Sequence, residues 1–580
     1  MRSNCRVWNG SRIAGFLVMS VAATASLAAA DDRSPGSREP AVVICARSVD
    51  VVIDRVEYVL ALAGADARIE RMREILAFLN ELEGIDRERP VGLLVDLPPP
   101  GGEPQVVGFV PVAGLDELRE TISKIDGVSF SPGESEGQWA LRSKQQTLHV
   151  RIAAGYAHVA QSEKSLSGEL ADISEITGDL TNRYDAAVMF ERGGLPPAYA
   201  VAAIAKLHQD AARDLIRRDD ESDAEFELRS RASESLVWLI EQVVVGSERL
   251  TLGLTFSRED QAVELEATLK AAKASQLARI FGDLSGNARI PEMAVEEPAG
   301  VEVAASLMVT GEGRELLSEV VTQLRAEIDR DLAKDPAAQA VLDQPLSTVL
   351  DALESTVDAG RLQASLRVIG DAPGEMVLLA GVGIEKSDDV DAALRQFLPF
   401  LAHSEDVKRV DLDAGTVGGV AFHRIVHKRV RKQDRILYGD EPAMYVGAGR
   451  DAFWFALGGS DAPQNLDKAL SGETSPPSTR GSDGLHPLLE VDIRMQPWIE
   501  LVSSGSQQQA KAFVTAARAA FAETDQDRLH AEMTAKEGEL RLQVRMDEGY
   551  IRMLAPVLSA RGESHSPEEP AAELLRPRQP

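Results

Sequence analysis

The sequence predicts an α+β fold: two related lobes, each an antiparallel sheet backed by helices, built from internally repeated β-α-β-β-α units. Three observations carry this. Stretches such as "RLTLGLTF" alternate strictly, with Leu250, Leu252, Leu254 and Phe256 on one side and Arg249, Thr251 and Thr255 on the other, the pattern of a strand with one wet face. Short turns join strands in sequence, and a parallel crossover would need a dozen or more residues, so the pairing is antiparallel. The same order of elements recurs four times along the chain.

In the first unit "AVVICARSV" opens as a strand. "DARIERMREILAFLNELEG" follows as a helix with Ile69, Met72, Ile75, Leu76 and Leu79 in one apolar stripe. "LLVDLPPPGGEPQVVGFVPVAGLDELRETI" then gives a strand, a Pro/Gly turn, a second strand and a helix led by Asp116. A meander, "GQWALRSKQQTLHVRIAAGYAHVAQSEKSL", closes this unit.

The second unit opens with "DAAVMFERG" and continues through two helices, the first beginning at Pro196 and Pro197 and the second at "SESLVWLIEQVVV". After "RLTLGLTF", the turn "SRED" leads into "QAVELEATLKAAKASQLARIF", which reads as helical. The third unit runs "VEVAASLMV", "RLQASLRVI", "MVLLAGVGI" and the helix "SDDVDAALRQFLPFL", with a second meander from "GGVAFHRIVHK" to "AFWFALGGS". The fourth holds "PLLEVDIRM", "RLHAEMTA" and "ELRLQVRM". The hairpin strands "VGLLVDL" and "MVLLAGVGI" are apolar on both sides, which predicts cover on both faces.

This periodicity places a first lobe at 41–283, a linker at 284–298, a second lobe at 299–558 and a disordered tail at 559–580. Residues 1–30 have a basic start, an apolar run from Ile13 and an Ala28-Ala29-Ala30 end. That is the layout of a cleaved signal peptide, and it predicts an extracytoplasmic location, periplasmic or secreted, without a transmembrane anchor after cleavage. The formal net charge of −30 repels nucleic acid and anionic membrane and argues against a general role on either. Beyond the leader Cys45 is alone, so no internal disulfide is expected, and its apolar neighbours point to a small buried strand residue.

The succession "VVGFVPVAGLDELRETI", "YAHVAQSEKSL", a long charged helical pair and "RLTLGLTF" resembles a family of uncharacterised secreted bacterial proteins over most of residues 41–282. The piece "AMYVGAGRDAFWFALGGS" with "LDKAL" is similar to the closing strand-turn-strand-helix module of related families of unknown function. The resemblance implies a duplicated modular architecture and export, and no activity or catalytic residue.

Chemical motifs are sparse. His423 and His427 in "HRIVH" have the spacing of zinc ligands on a helix, but on a strand they stand about 13 Å apart and cannot share an ion. His149 and His158 flank a turn and could be near neighbours across strands, with no third ligand visible. "DLDAG" at 411–415 starts like a calcium loop but lacks the later acids and reads as the turn before a strand, and "GAG" at 447–449 reads as a hairpin turn. No H-E-x-x-H or phosphate-loop pattern occurs, and the one G-x-S-x-G match, Gly133 to Gly137 in "SPGESEGQ", sits in a turn-like stretch without the helix-forming run that a nucleophile elbow leads into.

The sequence therefore assigns no catalytic residue, no metal ligand and no cofactor. One local feature stands out: "HRIVHKRVRKQDR" gathers Arg424, Lys428, Arg429, Arg431, Lys432 and Arg435 at what reads as a long hairpin tip, a candidate contact for an anionic partner. The expected function is an exported non-catalytic binding or scaffold protein whose partner is a protein, a polysaccharide or a small amphiphile. The alternatives are an extracytoplasmic hydrolase with a carboxylate site between the lobes, and an amphiphile carrier with an apolar groove between sheet and helices.

Overall fold

In the computed structural model, the described residues are 40–63, 76–77, 80–99, 102, 104–123, 128–133, 137–142, 147–218, 221, 223–285, 300–309, 311–370, 372–460, 462–471, 487–503, 508–521, 526–536 and 538–553. The leader, most of the stripe from Ile69 to Leu79, the 284–298 linker from residue 286 onward and the tail lie outside them, while Leu284 belongs to the helix that precedes the linker.

The first ten strands are β1 (Val42–Ala46), β2 (Val91–Asp96), β3 (Gln105–Pro111), β4 (Ser129–Pro132), β5 (Gln138–Arg142), β6 (Thr147–Ala153), β7 (Tyr156–Ala160), β8 (Ala186–Glu191), β9 (Ser247–Ser257) and β10 (Ala262–Ala271). The next ten are β11 (Val301–Met308), β12 (Arg361–Ile369), β13 (Val377–Gly383), β14 (Val407–Val417), β15 (Val420–His427), β16 (Ala443–Gly449), β17 (Ala452–Gly458), β18 (Leu489–Arg494), β19 (Arg528–Lys536) and β20 (Glu539–Asp547).

These strands form one 20-stranded antiparallel sheet. Across it the order is β4-β5-β6-β7-β3-β2-β1-β8-β9-β10, then β20-β19-β18-β11-β12-β13-β17-β16-β15-β14. Counted from its own first strand, each half follows the same order from outer edge to centre. Where the sequence suggests one sheet per lobe, β10 and β20 pair in register from Ala262↔Asp547 to Lys270↔Glu539 and make the sheet continuous. The two outer edges are blunted. β4 has four residues and ends at Pro132, and β14 is bulged between Asp411 and Gly415.

The helices are α1 (Val49–Ala63), α2 (Leu115–Ser123), α3 (Ile173–Arg183), α4 (Pro197–Asp214), α5 (Asp223–Gly246), α6 (Gln276–Leu284), α7 (Glu312–Leu332), α8 (Pro336–Ala359), α9 (Ser387–Leu401), α10 (Lys432–Tyr438), α11 (Ala462–Ser471), α12 (Gln496–Ser503) and α13 (Gln508–Phe521). Local chemistry sets several ends. Asp172 accepts from the backbone N–H groups of Ser174 and Glu175 to start α3. Asp335 does the same for α8, which stops at Gly360 in the left-handed conformation with φ 68°.

The structure departs from the sequence expectations at five places. The stretch after "SRED" is not one helix but β10 followed by α6. Its Glu, Ala and Lys residues favour helix, but Val263, Leu265, Ala267 and Leu269 alternate with Glu264, Glu266, Thr268 and Lys270, and pairing on both sides with β9 and β20 decides the outcome. The hairpin strands of the first and third units are not covered on both faces, since Leu93, Val106 and Val382 are exposed. "DLDAG" is a bulge within β14, with Asp413 at φ 51°, and the turn falls at Gly418-Gly419. "GAG" ends β16, and the hairpin turns at Arg450-Asp451, both at positive φ. The basic segment is no hairpin tip, because it continues into helix α10.

Helices lie on both faces of the sheet. On one face, α3 covers the outer part of the first half through Ile173 and Leu180 against Val43, Leu94, Val107 and Met189. At the other end of that face α11 covers Leu379, Tyr445 and Trp454 through Ala462, Leu466 and Leu470. The remaining helices named below pack on the opposite, continuously apolar face.

Candidate functional site

Because paired residues in antiparallel strands share a face, the registers trace single rows of side chains across the sheet. One row runs Gly108, Leu93, Ile44, Val188, Leu252, Ala267, Leu542, Met533, Leu489, Ala305, Ala364, Val382 and Phe453. Every member is apolar or glycine. From β2 to β13 the row crosses eleven strands, about 48 Å at a strand spacing near 4.8 Å.

Five of the large side chains along this row are open to solvent, from 38% at Leu252 to 48% at Val382, while Val188, Met533, Leu489 and Phe453 between and beyond them are half-buried. Ile44, Leu93 and Leu542 fall within that range, as do Val106 and Leu265 on adjoining rows. Leu252, Leu265 and Leu542 are diagonal neighbours on β9, β10 and β20, so the opening spans the junction of the halves.

Helices bank the row on both sides. On β2, Val91 lies under α1 with Val49, Ile53 and Leu60, while Val95 packs with Leu195 and with Tyr199 of α4. On β10 and β20, Leu269 and Leu540 pack with Val243 of α5 and Leu277 and Phe281 of α6. In the other direction Met546 and Leu529 pack with Ile499 of α12 and Val514 and Phe521 of α13. Beyond Val382, Phe453 meets Val349 and Leu353 of α8 and Leu394 of α9. The result is an apolar trough whose floor is the row of side chains.

The other face is its inverse at the centre of the sheet, where polar side chains are the buried ones. Glu266 accepts from Arg541 Nε (2.9 Å) and Nη2 (2.5 Å), from Arg183 Nη2 (2.5 Å), from Thr268 Oγ1 (3.1 Å) and from the Tyr184 hydroxyl. Burial alone would push this carboxyl up, but the Tyr184 hydrogen bond and the two guanidinium groups outweigh it and hold it below its ordinary value. Asp492 is held low in the same way, by His530 and Arg528 against burial.

The other buried carboxylates also meet arginine: Asp185 with Arg55 at 2.9 Å, Glu191 with Arg249 at 2.6 Å, Asp527 with Arg494 at 3.6 Å and Glu548 with Arg552 at 2.5 Å.

The residues singled out in the sequence fall as follows. Arg424 sits on β15, half-buried, opposite Asp411 and Tyr445. Lys428, Arg429, Arg431, Lys432 and Arg435 are exposed along the segment leading into and through α10, and none forms an ion pair with a described residue. His423 is fully buried, with Nδ1 accepting the Asp413 backbone N–H at 3.1 Å and Nε2 3.4 Å from Asp391 of α9, whereas His427 ends β15 in solvent.

His158 stands opposite Arg151, and His149 is one diagonal step away opposite Ala160. Among the described residues no group of three or more His, Cys, Asp or Glu is arranged to hold a metal ion. Cys45 is buried in β1, and burial pushes its thiol up to about 11. The trough escaped sequence reasoning because no single strand carries it. Its signal was the apolar residues that each central strand places on one face, which become a continuous surface only once register is known.

Comparison with protein-family models, with curated proteins and with solved structures gives no match.

Proposed function

We propose that this chain is an exported binding protein that carries the hydrocarbon part of an amphiphile in the apolar trough. The observation that carries this reading is the half-open row from Leu93 through Ile44, Leu252 and Leu542 to Val382. Monomeric soluble proteins rarely leave so long an apolar surface uncovered unless something binds there.

The occupant follows from the surroundings. Helix banks on both sides of the floor leave access to a slender chain, while the folded surface of a partner protein would have to displace them. The net charge of −30 opposes stacking a second copy on the same face. Gly108, Ala267 and the adjacent Ala305 and Ala364 interrupt the larger side chains along the floor, which provides recesses for methylene groups. The buried carboxylates support binding over hydrolysis: each is engaged by an arginine, and Asp547, which burial holds above its ordinary value, lies on the face of β20 opposite the one that carries Leu542.

Export follows from the leader pattern, and the matched strand order of the halves favours an origin by duplication of one ten-strand module, the two related lobes of the sequence reading.

The test is titration of the protein with a dansyl-labelled fatty acid, comparing wild type with the combined Leu265→Glu, Leu542→Glu variant. Both positions are half-open, so stability should change by about 1 kcal/mol or less. Saturable binding that weakens at least about tenfold in the variant supports the reading. No saturable binding, or equal binding by both proteins, refutes it.

A further inference from the structure

We propose that the basic segment Lys428–Arg435 docks the protein onto an anionic phospholipid bilayer. In choosing a bilayer over other polyanions, this rests on the amphiphile-binding reading above. The segment "KRVRKQDR" holds five cations against one acid, Asp434, a local excess of +4 in a chain of net charge −30. All five cations are exposed and without a described ion-pair partner. Several other surface cations are paired, as Lys408 with Glu441, Arg395 with Asp413 and Arg325 with Asp351, each at 2.6 Å, and the exposed cations with no described ion-pair partner, such as Lys164, Arg192 and Lys273, stand singly rather than in a cluster.

The segment also breaks the correspondence between the halves. Between β15 and β16 the chain takes residues 428–442, whereas the connection of the same rank in the first half, between β5 and β6, takes only 143–146. The longer connection therefore belongs to one half alone and contains every cation in question. Insertions on a shared scaffold are where binding residues concentrate.

The cations stand on a fixed platform. The backbone N–H groups of Gly374 and Met376, in the β12–β13 turn, donate to the carbonyls of Ile436 and Leu437 at 2.8 and 3.0 Å. Ile436, Leu437 and Tyr438 pack with Leu378, Val368, Val301 and Trp498. Leu378 belongs to the face of β13 that carries Val382, four residues along the strand, or roughly 13 Å. The charged segment is thus mounted beside one end of the trough, where a lipid leaving a bilayer would enter. Salt screens the remaining acids beyond about 8 Å at physiological ionic strength, so the patch acts at contact range despite the net charge.

The experiment is flotation with phosphatidylcholine vesicles, with and without phosphatidylglycerol, at low and high salt. The wild type should float only with phosphatidylglycerol and be released by salt. The variant combining Lys428→Ser, Arg429→Ser, Arg431→Ser, Lys432→Ser and Arg435→Ser should partition about a hundredfold less or weaker still, while binding the dansyl fatty acid as wild type does. The Leu265→Glu, Leu542→Glu variant should float normally, so failure of the trough and failure of the docking surface are separable. Flotation unchanged by the five substitutions overturns the proposal. So does absence of flotation, including the case in which the segment instead retains soluble heparin.

Discussion

Glu266 of β10 and Arg541 of β20, 275 positions apart in the chain, are joined by hydrogen bonds of 2.9 and 2.5 Å across the strand pair that unites the two halves of the sheet. The carboxylate is nearly inaccessible, and its depressed pKa makes it a stabilising group only while ionised. Glu266→Gln keeps the shape and leaves Arg541 facing a neutral amide. Breaking a buried pair costs about 3–5 kcal/mol, and the exposure of Arg183 and part of Arg541 lowers the expected loss to about 2–3 kcal/mol.

The sign with pH follows from the depressed value. The contribution is complete above the unfolded carboxyl's value, about 4.3, and disappears as pH falls through the lower folded value. Urea unfolding at pH 7 should separate wild type from the variant, and the gap should shrink steadily below pH 4. A gap of the same size at the acid end would show that charge is not the cause.

His158 should give a pH dependence in a different window. Burial, with a smaller effect from Arg151 opposite it, pulls its pKa down to about 4, against an unfolded value near 6.5. Between these values the unfolded chain binds a proton that the folded chain does not, so stability falls as pH drops from about 6.5 to 4. The loss is about 3 kcal/mol. Unfolding free energies at pH 7.5 and 4.5 should therefore converge in His158→Gln relative to wild type, and an unchanged pH slope in the variant would contradict this assignment.

The α+β class was legible because period-two alternation survives in the strands whatever they pair with, and because the turns between them are short. What could not be read was pairing between distant segments. The helix-favouring residues around Glu266 and Thr268 conceal a central strand whose identity depends on Leu542 and Arg541, far along the sequence. The trough was hidden for the same reason: Leu252 lies in a strand that reads as an ordinary amphipathic segment, and Leu93 and Val382 lie in strands whose two apolar sides read as covered on both faces. The basic segment was legible as a charge cluster, but its helix and its position beside β13 were not, since Ile436 and Leu437 gain their meaning from the β12–β13 turn they pack against.

Two glycines should respond in opposite ways to alanine. A Cβ on Gly253 would lie 2.2 Å from the Tyr184 ring, which is held in place by its bond to Glu266. Gly253→Ala should destabilise by about 1–3 kcal/mol through overpacking. Gly178, inside α3, has nothing within 4 Å of the added carbon, and Gly178→Ala should stabilise by about 0.5–1 kcal/mol by restricting the unfolded chain. Thermal unfolding of the two variants checks both signs at once.

Cys45 offers a test of whether the two halves unfold together. In β1 it pairs with Gly92 and Ala187, and it lies three strands from the Glu266 seam. Because its thiol is buried and raised to about 11, labelling by a disulfide reagent at pH 8 requires the sheet to open. With Cys5→Ser as background, Glu266→Gln should raise the Cys45 labelling rate by the factor that corresponds to its loss in urea unfolding, roughly thirtyfold or more for 2 kcal/mol at tenfold per 1.4 kcal/mol. That equality would mean that exposing β1 requires breaking the β10–β20 junction. A labelling rate that ignores the substitution would mean that the first half opens independently, and that the Glu266–Arg541 pair holds together two units that fold separately.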